Sequence, residues 1–129
     1  MPKKIFTAVI LTVTLLFASN VSYADADDEP IFIDPSSVWY QPEKNVFGAS
    51  VTLDAEKYFS ITYRIFPRTD SGWDIHQMIN NDGQWVHIGI KGTGRHDYSF
   101  QNKTQARLFV MVSGAAARLL GRDSVFENF

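Results

Sequence analysis

The side chains best suited to chemistry crowd into one stretch, Trp73 to Lys91 (WDIHQMINNDGQWVHIGIK), which carries Asp74, His76, Trp85 and His87. Imidazole and carboxylate groups held together can move protons, ligate zinc or copper, or form charge-assisted hydrogen bonds to a partner, and an indole adds contact area or a stacking surface. Whether these groups meet depends on the backbone beneath them. Ile75, Gln77 and Ile79 alternate with polar or mixed residues, Val86, Ile88 and Ile90 do the same, and Asn80-Asn81-Asp82-Gly83 between them tolerates positive φ. That pattern predicts a β-hairpin. With a two-residue loop, Met78 faces His87 and His76 lies diagonal to His87; with a four-residue loop, His76 and His87 are directly opposed. Both registers put the isoleucines and Val86 on one face and Asp74, His76 and His87 on the other.

Three chemistries compete for this cluster. His76, His87 and Asp74 form a possible ligand set for zinc or copper. Ser60, His87 and Asp74 assemble a hydrolase triad on paper, but Gly48-Ala-Ser50-Val-Thr52 lacks the last glycine of a nucleophile elbow. The third reading, protein binding, uses Trp85, His87, His76 and Asp74 as the contact, with Arg95 and His96 of the next turn as its rim. Trp39 and Tyr40, adjacent near a strand end, are the candidate surface for stacking a glycan.

The remaining elements follow from turns and alternation. Ile31–Ile33 and Val38–Tyr40, set off by Pro30, Pro35 and Pro42, read as short edge segments. Val46 to Leu53 places Phe47, Ala49, Val51 and Leu53 on one face, with Gly48 marking a bulge. Tyr58 to Phe66 does the same with Phe59, Ile61, Tyr63 and Ile65, leaving Ser60, Thr62 and Arg64 opposite. Trp73, beside Ile75, is expected to be buried. His96–Gln101 reads as a strand carrying Tyr98 and Phe100. Ala106, Leu108, Val110 and Val112 alternate through the most hydrophobic segment, which therefore reads as a central strand. Ser113–Gly121 has room for one or two turns of helix, and Val125 and Phe126 for a returning edge strand. About eight short strands separated by regular turns predict an all-β fold, a small antiparallel β-sandwich.

Gly94-Arg-His-Asp97-Tyr98-Ser-Phe100, followed by Leu108-Phe-Val110-Met-Val112-Ser-Gly114, resembles a strand pair of bacterial pre-peptidase C-terminal domains and of some periplasmic lysozyme inhibitors. The resemblance implies two paired strands here. It brings no functional residue with it.

Address and charge narrow the function. Lys3 and Lys4, the apolar run Ile5–Ala18 and Ser22-Tyr23-Ala24 form the tripartite pattern of an export signal over residues 1–24, cleaved after Ala24. The run is shorter than the roughly 18–20 residues a spanning helix needs, and no other follows, so membrane insertion is not expected. Residues 25–30 form an acidic, solvated leader, and residues 31–129 a single domain. The 129-residue chain has no cysteine, which removes disulfide and thiolate chemistry. Without Lys3 and Lys4, ten basic residues stand against fourteen acidic ones, and those ten, scattered singly from Lys44 to Arg122, lack the basic stripe that nucleic acid requires. The expectation is a periplasmic or secreted binding module without cofactor, acting on another exported or envelope protein. The alternatives are a small-ligand binder, by metal or glycan, and a small hydrolase.

Overall fold

Strand formation follows the alternation of apolar side chains, and the computed structural model, which describes residues 30–128, shows seven antiparallel strands in one sheet. The expected export signal and residues 25–29 lie outside the described residues. The strands are β1 (Ile31–Ile33), β2 (Trp39–Gln41), β3 (Val46–Leu53), β4 (Lys57–Pro67), β5 (Trp73–Ile79), β6 (Val86–Lys91) and β7 (Tyr98–Phe100). They pair in the order β1-β3-β4-β5-β6-β7, and β2 pairs with β3 alongside β1. The two proline-flanked segments thus share one edge: β1 lies against Val51–Leu53 and β2 against Val46–Gly48. Between them Asp34 caps a 3-10 turn, accepting a hydrogen bond from the Ser36 amide at 3.1 Å.

The odd-numbered residues of β3, β4 and β5 fill the core. Phe47, Val51, Ile61, Tyr63, Ile65 and Ile75 are buried, and Ile88 joins them from β6. Trp73 is buried as expected, its ring 5.2 Å from that of Phe126.

What covers this apolar face is a helix, α1 (Lys103–Leu119), where the sequence pattern pointed to a central strand. Residues 106–112 satisfy two periods at once. Leu108 and Val112 fit alternation, but Leu108, Phe109, Val112 and Ala116 also recur at helical spacing, and all four are buried. Phe109, which a strand would turn outward, is fully enclosed. Asn102 starts the helix by accepting a 2.9 Å hydrogen bond from the Gln105 amide, and Gly121, with φ at 66°, follows its end. The resemblance to a two-strand unit therefore has no counterpart here, because its second half is helical. The expected edge strand at Val125–Phe126 is a 3-10 turn, Val125–Asn128, and Gly48 lies in regular pairing, not a bulge. The second layer of the domain is a helix in place of a second sheet.

Phe109 also shows how the sheet is shaped. In a flat sheet β3 and β7 would stand about 19 Å apart. Yet Phe47 of β3 and Phe100 of β7 bring their rings to 5.9 and 5.6 Å from that of Phe109, so the sheet curls around the helix. No helix among the described residues is long and apolar enough to cross a membrane.

Candidate functional site

The convex face of the sheet, away from α1, carries the residues that the sequence singled out. Arg64 of β4, His76 of β5 and His87 of β6 pair in register, one row across three strands. The β5–β6 loop therefore has the four-residue geometry, with Asn80 and Asn81 at φ 53° and Gly83 at φ 80°. The imidazoles meet edge to face, ring centres 5.3 Å apart.

A bulge keeps the row intact. His76 opposes His87 and Ile75 opposes Gly89, so Ile88 is the additional residue of β6 and can turn inward while His87 stays outward. A Cβ on Gly89 would lie 2.6 Å from both the Phe100 ring and the Ser99 carbonyl oxygen, so this position has room for glycine alone. Val86, expected with the isoleucines in the core, lies beyond their cover and is half exposed.

Asp74 ties the row to the β4–β5 loop. His87 Nε2–H and Arg68 Nη1–H each donate to Asp74 Oδ1 at 2.9 Å, and Arg68 Nε–H donates to Asp70 at 3.1 Å. Burial on its own would raise the Asp74 pKa; the hydrogen bonds from His87 and Arg68, with the charge of Arg68, outweigh it and hold the carboxyl below its ordinary range. His76 is shifted the other way in charge. Burial, then the positive charge of Arg64, lower its pKa below 6.5 against the weaker pull of Asp74. Its Nδ1 is buried without a hydrogen-bond partner.

Arg64 is the residue that sequence reasoning passed over. Its guanidinium carbon lies 4.2 Å from the Trp85 ring centre and 4.9 Å from that of Phe66, and Phe66 in turn meets His76 edge to face at 5.3 Å. Among the described residues the Arg64 side chain has no ion pair or hydrogen bond, and its Nε is buried without an acceptor. Its place follows from the turn: β4 runs through Pro67, which pairs with Trp73, and the five residues Arg68–Gly72 between them set Arg64 opposite His76, where a turn beginning at Pro67 would set it opposite Ile75.

The other candidates separate. Ser60 pairs with Ser50, four residues along β4 from Arg64 and hence about 13 Å from the histidine row, so no Ser60-His87-Asp74 triad assembles. Trp39 and Tyr40 point to opposite faces, as neighbours in a strand must. Trp39 packs over Gly48 on the convex side, where a Cβ would come within 2.9 Å of its Nε1. Tyr40 belongs to the core side, edge to face with Phe47 at 6.0 Å, its hydroxyl donating to the Val125 carbonyl at 3.3 Å. They cannot stack one glycan together. Arg95 and His96 are exposed in the β6–β7 turn, and His96 lines a separate groove of about 350 Å³ with Tyr98, Phe100, Asn102, Lys103, Ala106 and Val110. No group of three or more His, Asp or Glu side chains among the described residues is arranged to hold a metal ion. His87 Nε2 is already committed to Asp74, and the unpartnered Nδ1 of His76 is enclosed.

No protein-family model, curated protein or solved structure matches this chain.

Proposed function

We propose that the protein is an exported, non-catalytic binding module whose convex sheet face takes a protein partner, of the inhibitor, immunity, chaperone or assembly-accessory kind. The observation that carries this reading is the arrangement of Trp85, Arg64 and Phe66 around the Asp74–His87–His76 row. Tryptophan and arginine are the side chains that most often dominate interface energetics; here Arg64 sits on a paired strand, with the ring of Trp85, the residue just before β6, 4.2 Å from its guanidinium carbon before any partner arrives. Asp74 and His87 form a partly exposed polar border to that centre, with side-chain exposures of 32% and 46%.

The test is capture from the native envelope and medium with the tagged mature chain, followed by mass spectrometry of the retained protein. A single stoichiometric partner is expected, lost with Trp85→Ala and weakened with His87→Ala, while both variants keep the circular dichroism of the parent. Retention unchanged by both substitutions would place the contact elsewhere. The small-ligand alternative makes a different prediction: saturable quenching of tryptophan fluorescence by zinc, copper or cell-wall glycan fragments, with no protein retained.

A further inference from the structure

One positive charge of the convex site is left without an ion pair. Asp74 Oδ1 accepts from His87 and Arg68, and Arg68 also donates to Asp70, so both carboxylates of the network are engaged away from Arg64. The side chain of Arg64, one strand away, has neither ion pair nor hydrogen bond. Its Nε is enclosed, whereas its terminal Nη groups are neither enclosed nor partnered among the described residues, so they are the donors left for a group from outside.

The guanidinium is also held in position. Trp85 and Phe66 lie 4.2 and 4.9 Å from its carbon, so the plane of its donors is oriented in the free protein. A planar fork of N–H donors matches a carboxylate, which accepts two hydrogen bonds while neutralising the charge; an amide supplies no charge and an ammonium is repelled. The chain as a whole is acidic, with formal charge −2, so general attraction does not bring anions here. Recognition of one must come from this site.

We infer that Arg64 anchors a carboxylate of the partner, and that the segment docked on the convex face is an acidic peptide. This rests on the binding role proposed above and adds the chemistry of what is bound.

The experiment is an ¹H–¹⁵N titration of the full chain at pH 7.5, following the Arg64 Nε–H and Trp85 indole signals. The probes are poly-L-glutamate, poly-L-lysine and inorganic phosphate at equal ionic strength. Poly-L-glutamate is expected to shift both signals saturably, and poly-L-lysine to shift neither. Arg64→Gln is expected to weaken poly-L-glutamate binding at least about tenfold, as loss of a charge-assisted pair implies, with Arg64→Lys intermediate because it keeps the charge and loses the fork. Absence of a saturable shift with poly-L-glutamate, an equal response to phosphate, or an undiminished response in Arg64→Gln would overturn the assignment. Failure of the carboxylate assignment is separable from failure of the binding role. If Trp85→Ala abolishes partner capture and Arg64→Gln does not, the face binds through other chemistry; if neither matters, the face is not the contact.

Discussion

The protonation of His76 is set by its surroundings. Burial is the first reason that it resists protonation, the Arg64 charge the second and the His87 ring the third, while Asp74 opposes them. A histidine whose folded pKa lies below its unfolded value of 6.5 makes the unfolded chain the better proton binder. Its contribution to stability is therefore full above pH 6.5 and is lost as pH falls through the folded pKa. The urea midpoint is expected to drop between pH 7 and pH 5, and His76→Gln to flatten that drop; an unchanged slope would assign the titration elsewhere. Asp74 acts in a lower window. Its depressed pKa contributes stability above the ordinary carboxylate range, lost as pH falls through its folded value, so Asp74→Asn should remove the part of the acid transition below about pH 4. Most of this site was legible. Alternation around Asn80–Gly83 put Asp74, His76 and His87 on one face, because a hairpin's register and its side-chain faces are fixed together. Arg64 was not read as part of it, since its role arises from β4 pairing with β5, and pairing across a five-residue loop, where a shift of one residue would set Arg64 opposite Ile75, is harder to see than pairing across a tight turn.

At the level of elements, α1 is where local pattern misled. A segment of Leu, Phe, Val and Met satisfies a period of two and of 3.6 with equal ease, and length decides only when the ends are known. The ends were marked. Asn102 with Gln105 three residues later is a helix-start pattern, and Gly121 is a stop. Asn102→Ala should cost about 1 kcal/mol of stability through loss of the cap, measured by urea denaturation. Phe109→Ala should cost about 3–5 kcal/mol, because its ring joins those of Phe47, Tyr63, Tyr98, Phe100 and Phe126 in one contact set. The β3–β4 turn predicts a change of opposite sign. Asp54 and Ala55 have φ of 58° and 57°, a left-handed conformation that alanine adopts at a cost, so Ala55→Gly is expected to raise stability by about 0.5–1 kcal/mol despite the added chain entropy. A lower melting temperature in that variant would show that the turn relaxes without glycine.

For the molecule as a whole, the strands were readable in order and nearly in extent, because β1 to β7 each carry an apolar face bounded by turn residues. The second layer was not, since alternation says that a face is buried without saying against what. Here one helix serves where a sandwich would need a second sheet, and the sheet achieves this by curling until both of its sides reach Phe109. A chain ending at Gln101 is expected to bind 8-anilinonaphthalene-1-sulfonate strongly and to aggregate; a soluble monomer that does not bind the dye would show that the curled sheet is stable uncovered. The order of elements adds a temporal consequence. From β3 onward every strand finds its partner next to it in sequence, while the helix that closes the core is made after all of them. A copy cut short before Leu119 can zip its strands together and still presents an open greasy trough to proteases. Completeness of synthesis and resistance to degradation are thus coupled by where in the chain the lid was placed.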